Sequence, residues 1–201
     1  MVRLIVAEGL DLVRGGIVAL LDREDDFDVV ADLSKGEQIL PIARELDPDV
    51  VLIDFDIPGM DGDAAAAMLR RELPGCRILL LAEHRRPGLL CRAVGAGADG
   101  FLIKDTLPGR LVEAVRRLAA GERVIDSELA AAAVVTGGRP LTERELEVLR
   151  LTAEGLSPQE TAERLFLAAG TVRNYLAGIN AKLGAHTRIE AIRRATESGW
   201  L

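Results

Sequence analysis

The sequence lacks long hydrophobic runs and has few cysteines and histidines. No stretch approaches the roughly 18 apolar residues that a membrane-spanning helix needs, and acidic residues come too early at the amino terminus for a secretory signal. We therefore expect a cytoplasmic protein with no membrane partner. The two cysteines, Cys76 and Cys91, have neither the number nor the spacing of a disulfide framework or a zinc site, so we expect free thiols.

The composition is that of a globular protein with an uneven distribution of charge. The 201 residues are 49% hydrophobic and 28% charged, which allows one large domain or two small ones. The net charge is −7, but residues 137–201 hold nine basic and eight acidic residues, whereas the rest hold sixteen and twenty-four. An acidic front half and a nearly neutral back half indicate two domains with different partners.

The first half alternates short apolar runs with segments of helical periodicity. Five such strand and helix pairs predict an α/β domain with a parallel sheet covered on both faces. Functional groups are then expected just after the strands, at their carboxyl ends. The predicted strands are residues 4–7, 29–31, 50–53, 78–81 and 100–103, and the predicted helices are residues 10–21, 37–46, 64–73, 89–94 and 107–119.

The second half contains helical patterns and no strand. Two capping boxes, Thr142 with Glu145 and Ser157 with Glu160, mark two helix starts, and four short helices with one tight turn predict a helix-turn-helix domain. Glycine and proline in residues 136–140 indicate a linker, and residues 127–135 fit a short helix. The predicted boundaries are 1–121 for the α/β domain, 122–139 for the linker and 140–201 for the helical domain.

Two long motifs resemble a known family. The runs DVVLIDFDIPGMDG (residues 49–62) and GADGFLIKD (97–105) resemble the receiver domain of response regulators, and residues 141–191 resemble the LuxR-type DNA-binding domain. Together they resemble the NarL/FixJ family, with features of its actinomycete members. This resemblance implies a CheY-like, doubly wound (βα)5 domain linked to an all-α, four-helix helix-turn-helix domain.

The resemblance also implies a phosphorylation site. Asp54 matches the carboxylate that takes a phosphoryl group from a histidine kinase, and Lys104 matches the fixed cation of that site. The backbone carbonyl of Asp56 matches a metal ligand. Because phosphoryl transfer to a carboxylate brings negative charges together, such a site requires a divalent cation, Mg²⁺ in this family.

Two parts of that site are missing from the sequence. Where the family has two adjacent acids, the second a direct Mg²⁺ ligand, this chain has Glu8 and Gly9, so only Glu8, Asp54 and Asp56 are left as weak metal ligands. Ala82 replaces the Thr or Ser whose hydroxyl binds the phosphoryl group and draws an aromatic residue inward. Phe101 matches that aromatic residue, but it has no hydroxyl to follow.

The LuxR-type resemblance places a recognition helix near residue 169. Arg173 and Asn174 match the residues that read base edges, with Ala177 one turn further on, since Arg suits guanine and Asn suits adenine. Thr171, Tyr175 and Lys182 match positions for phosphate contacts or support. The final helix, residues 187–198, matches the dimerising helix, with Ile189, Ile192 and Trp200 as apolar contacts.

Three functions remain open at this point. The first is a homodimeric regulator that binds double-stranded promoter DNA, is not an enzyme, requires no cofactor, and has an atypical receiver that phosphate controls poorly or not at all. The second is a conventional response regulator, switched by a histidine kinase through Asp54 and Mg²⁺. The third is a module whose helical half binds a protein instead of DNA.

Overall fold

The computed structural model describes residues 1–125, Ala130 and residues 140–201, which form two compact units. The amino-terminal unit is a parallel sheet of six strands with helices between them. Its elements are β1 (Val2–Ala7), α1 (Asp11–Leu21), β2 (Phe27–Leu33), a 3₁₀ turn (Gly36–Gln38), α2 (Ile39–Leu46), β3 (Val50–Asp54), α3 (Gly62–Glu72), β4 (Arg77–Ala82), α4 (Pro87–Gly95), β5 (Gly100–Ile103), α5 (Pro108–Ala119) and β6 (Val124–Ile125).

The strand order β2-β1-β3-β4-β5-β6 reverses direction between β1 and β3. This is the switch point at which open α/β sheets form their sites, outside the carboxyl ends of the strands. Every residue of β3 is buried, as is most of β4, because helices cover both faces of the central strands. The five predicted strands and the doubly wound fold are confirmed.

The sixth strand was not predicted. Val124 and Ile125 pair in parallel with Gly100 and Phe101 of β5, within the segment that the sequence indicated as linker. Two residues are too few to show the alternation that reveals a strand. The short helix predicted for residues 127–135 lies outside the described residues, apart from Ala130.

The carboxyl-terminal unit consists of helices in the residues described. They are α6 (Glu143–Ala153), α7 (Pro158–Leu165), α8 (Ala169–Leu183) and α9 (Arg188–Ser198), packed on a core that includes Leu146, Val172 and Ile179. Both predicted capping boxes form, since Thr142 and Ser157 accept from the backbone N–H groups of Glu145 and Glu160, whose carboxylates bond back.

The start of α8 is uncapped by any side chain. Its N-cap residue, Ala168, has the extended backbone of a cap residue, with φ −80° and ψ 144°, but no oxygen to offer the first helical N–H groups. In α9, by contrast, the Thr187 hydroxyl accepts from the N–H of Glu190 at 3.1 Å. The helix α8 is therefore held by packing of its inner face.

Ala168→Ser should stabilise the helical unit by about 1 kcal/mol, because a serine at this backbone geometry accepts a bond that alanine cannot. Trp200 is the single tryptophan of the chain and packs against the helical core, so its fluorescence during denaturation reports this unit. Ala181→Ser, at an exposed position inside the same helix, is the control and should give no gain. Equal stability of the two variants would contradict the prediction.

Candidate functional site

Three charged side chains from separate strands meet at the carboxyl edge of the sheet. Glu8 follows β1, Asp54 ends β3 and Lys104 follows β5. The Lys104 Nζ atom lies 2.7 Å from Glu8 Oε2 and 2.8 Å from Asp54 Oδ1. The exposed fractions of these side chains are 15% for Lys104, 1% for Glu8 and 6% for Asp54. The structure thus places together three residues that the resemblance assigns to the receiver pocket.

The Lys104 ammonium is stabilised by the two carboxylates around it. Burial alone would lower its pKa, but the contacts with Asp54 and Glu8 outweigh burial and raise the pKa above its usual value of 10.5. A raised folded-state pKa means that this stabilisation is fully present below the pKa of the unfolded chain. It is lost as the pH rises through the raised value, so it persists across the neutral range.

Glu8 is fixed by the backbone that follows it. Its Oε1 atom accepts from the N–H of Leu10 at 2.9 Å. Its Oε2 atom lies 2.7 Å from the Lys104 Nζ atom and has no other polar partner among the described residues. A buried carboxylate oxygen needs such a partner, so Glu8 depends on the ammonium. Two carboxylates facing one ammonium also give the cluster a net negative charge.

Pro58 fills the space beside Gly9, the position at which the family has its second acid. A Cβ atom placed on Gly9 would lie 2.4 Å from Cδ and 2.9 Å from Cγ of Pro58. No side chain fits there without displacing the loop after β3. The second acid is therefore absent from the sequence, and Pro58 also occupies the space that its side chain would need.

The side chains of this pocket fit Mg²⁺ poorly. The cation prefers six oxygens in near-octahedral geometry, whereas the two buried carboxylates already share the Lys104 ammonium. Asp56 is exposed, and its backbone N–H contacts Asp54 Oδ1 at 3.3 Å. No group of three His, Cys, Asp or Glu side chains within the described residues is arranged to hold a metal. The metal role assigned to Glu8, Asp54 and Asp56 stays a prediction.

Phe101 points into the core although no hydroxyl draws it there. It is 1% exposed, and Ala82 is fully buried nearby at the end of β4. The Phe101 ring packs edge-on against Phe55, with ring centres 6.4 Å apart and planes at 75°. The Arg92 guanidinium lies over the Phe55 ring, 4.7 Å from its centre. The inward position of Phe101 is thus explained by aromatic packing.

Arg92 fixes this arrangement at the loop after β3. It makes two hydrogen bonds to the Asp63 carboxylate, at 2.7 and 3.1 Å, and approaches Asp61 at 3.6 Å. Sequence reasoning missed Arg92 and Phe55. Phe55 directly follows the acceptor position and so could have been suspected, but nothing local to Arg92 indicates its partners.

The proposed reading face of α8 is open to solvent. Arg173, Asn174 and Ala177 are exposed, while Thr171 and Tyr175 are half-buried. Tyr175 packs against the helical core, which suits support better than direct reading. On a helix in the major groove, exposed residues of the first turns reach base edges.

Lys182 has an internal partner that the sequence did not reveal. Its Nζ atom lies 2.7 Å from Oε2 of Glu145, the buried acid of the first capping box. The contact joins α8 to the start of α6. Burial alone would raise the pKa of Glu145, but the contacts with Lys182 and Thr142 outweigh burial and lower the pKa below its usual value. Lys182 therefore forms an ion pair within its own domain, and its contact with a DNA phosphate stays a prediction.

The three apolar residues predicted for dimerisation differ in exposure. Ile189 on α9 is 72% exposed. Ile192 and Trp200 are partly buried and pack against the core of their own unit. Of the three, Ile189 has the most surface left for a second chain.

Known families match both units of the chain. Residues 4–116 match the response regulator receiver domain, and residues 139–195 match the bacterial regulatory proteins of the luxR family. The transcriptional regulatory protein DesR of Bacillus subtilis (strain 168) is 38% identical over 200 residues, which cover all of this chain and 99% of that protein. The chain belongs to the LuxR family of response regulators. The response regulator RamR of Streptomyces coelicolor is also 38% identical, over all of this chain and 98% of its own length.

Solved structures of response regulators share this fold. Response regulator ChrA, from a heme-sensing two-component system, is 32% identical with a TM-score of 0.59, over all of this chain and 98% of its own. RcsB of Salmonella enterica serovar Typhimurium, solved bound to a promoter, has a TM-score of 0.73 over 97% of this chain and 98% of its own; at 24% identity the likeness concerns the fold. Like its relatives, this response regulator is a DNA-binding transcriptional regulator. None of the helices among its described residues is both long and apolar enough to cross a membrane.

Lys104→Met should destabilise the receiver by about 3 kcal/mol, because removal of the ammonium leaves Glu8 and Asp54 as unbalanced buried carboxylates. Thermal unfolding followed by circular dichroism measures the effect, while Trp200 fluorescence separates out the helical unit. Lys35→Met, at an exposed lysine, is the matched control. A similar stability of both variants at pH 7 would contradict the assignment.

Proposed function

We propose that this response regulator binds promoter DNA as a homodimer and that phosphorylation of Asp54 does not control its binding. The observation that carries the proposal is the closed charge cluster: Lys104 contacts both carboxylates, and Pro58 fills the place of the second acid. A phosphoryl group would add about −1.5 to −2 charge to a cluster that is already negative. The receiver then serves mainly as a dimerisation and docking domain.

The fixed aromatic pair supports the same proposal. In a conventional receiver the resemblance assigns a hydroxyl to the position of Ala82, and the aromatic residue moves when that hydroxyl meets the phosphoryl group. Here the Phe101 ring is buried against Phe55 with no polar atom to follow. A phosphate added to Asp54 would therefore meet no hydroxyl at position 82 that could bind it and move Phe101, so it could not change the receiver surface in this way.

Dimerisation supports DNA binding by a domain of low charge. Residues 137–201 carry a net charge of only +1, and affinity for DNA grows with the number of phosphates that basic residues neutralise. Two copies on half-sites about 10 to 10.5 base pairs apart would bind as one unit. The exposed Ile189 on α9 is the residue we propose for the contact between the two helical domains.

Treatment of the full chain with acetyl phosphate and Mg²⁺ should leave its intact mass and its promoter affinity unchanged. Gly9→Asp alone should not restore the reaction, since its Cβ would meet Pro58 at 2.4 Å. The combination of Gly9→Asp, Pro58→Ala and Ala82→Thr, which supplies both missing groups and the space for one, should gain a phosphate adduct. A stoichiometric adduct on Asp54 in the unaltered chain would establish the conventional, kinase-switched function instead.

Arg173→Ala should weaken binding to the selected DNA site by about 1 to 3 kcal/mol and should relax the preference for one base pair. The site is first obtained by selection from a random duplex library, and affinity is then measured by anisotropy at fixed salt. Arg173→Lys is the matched control: it keeps the charge but loses the two-bond pairing, so nonspecific affinity should survive while base preference falls. Unchanged binding by Arg173→Ala would favour a protein partner for the helical domain.

A further inference from the structure

Phe166 combines two features that a folded protein normally avoids. Its side chain is 96% exposed, the largest exposure among the large hydrophobic residues described. Its backbone is left-handed, with φ 56° and ψ 46°, at the C-cap of α7. A left-handed backbone brings the Cβ atom of an L-residue close to the following carbonyl oxygen, so bulky residues adopt it rarely.

The other helices of the same unit show what this position ordinarily requires. Helices α8 and α9 end on Gly184 and Gly199, with φ of 61° and 77°. Glycine is the usual residue at such ends because it has no Cβ to strain. Among the described residues, the second non-glycine with positive φ is Asp47 at the end of α2, and aspartate tolerates this conformation. Phenylalanine at position 166 follows neither pattern.

The phenyl ring is not needed for the turn that carries it. Backbone bonds hold the turn: Phe166 N–H contacts the carbonyls of Ala162 and Glu163, and Leu167 N–H donates to Ala162 at 2.8 Å. Arg144 also donates to the carbonyl of Leu165 at 2.7 Å. The neighbours Leu165 and Leu167 pack on the helical core. Everything that fixes this turn would remain if residue 166 had no side chain.

The Phe166 ring lies in the turn that precedes the proposed DNA-reading helix. Phe166 stands between α7 and α8, three residues before the recognition helix begins. When the start of such a helix enters the major groove, the turn before it lies beside the groove wall, which exposes deoxyribose carbons and thymine methyl groups. The exposed residue Arg164, two positions before Phe166 in the chain, suits a DNA phosphate beside the same turn.

We propose that Phe166 is a DNA-contact residue whose ring packs on the deoxyribose and thymine-methyl surface at the edge of the major groove. The inference rests on the proposed DNA binding by α8 and extends it to an apolar contact in the turn. Because the ring brings no charge, it adds affinity without adding to the net charge of +1. The strain and exposure of Phe166 are then offset in the complex, where the ring loses its contact with water.

The test separates stability from binding in a single substitution. Phe166→Gly relieves the left-handed strain, so the helical unit should be as stable as before or more stable, as read by Trp200 fluorescence during denaturation. Affinity for the selected duplex should nevertheless fall about tenfold. Asp47→Gly, which relieves the same backbone conformation in the receiver, is the matched control and should leave DNA affinity unchanged.

A hydroxyl-radical footprint locates the contact, because this reagent cleaves DNA at exposed deoxyribose. The unaltered chain should protect one or two sugars at the edge of each half-site, and Phe166→Gly should lose that protection while keeping the rest. Equal affinity and equal footprints of the two chains overturn the inference while the DNA-binding function stands. Loss of the whole footprint in Phe166→Gly together with lower stability assigns a structural role and also overturns it. If the unaltered chain binds no duplex, the proposed function fails as well.

Discussion

The receiver is organised around one ammonium shared by two buried carboxylates. A parallel sheet brings the carboxyl ends of β1, β3 and β5 to one edge, so the side chains of Glu8, Asp54 and Lys104 meet there. Buried ions of like sign are tolerated only when a counter-charge is close. Lys104 therefore has two roles at once, and any new anion on Asp54 would compete with Glu8 for it. This competition is the physical basis of our proposal that phosphorylation of Asp54 does not control DNA binding.

Several features of the fold could be read from the sequence because they depend on local patterns. The continuous apolar run of β3 and the capping boxes of α6 and α7 each need only neighbouring residues, and each forms as expected. The positions of Glu8, Asp54 and Lys104 after their strands followed from the resemblance and the rule for parallel sheets. Their convergence on one point was therefore predictable, while their distances were not.

The features that sequence reasoning missed are contacts between distant segments. Pro58 packs beside Gly9, Lys182 pairs with Glu145 across 37 residues, and Phe55 packs on Phe101. None of these pairs leaves a trace in the periodicity or spacing of either segment. The first of these contacts also changes how the receiver motif is interpreted. The sequence shows only that the second acid is absent, whereas the fold shows that Pro58 fills its place, so a Gly9→Asp substitution alone would not restore it.

Charge also limits the helical domain, because it has few basic residues that are available to contact DNA phosphates. Arg144, Lys182, Arg193 and Arg194 already contact acidic side chains of their own domain. Such surface pairs are weak, so DNA phosphates can compete for these cations. A cation that must leave an acidic partner adds less binding free energy than an unpaired cation would. In the function that we propose, affinity therefore depends more on base contacts, on a second copy and on apolar surface. The contact proposed for Phe166 is consistent with this limit, because an apolar side chain gains from burial on DNA without needing another cation.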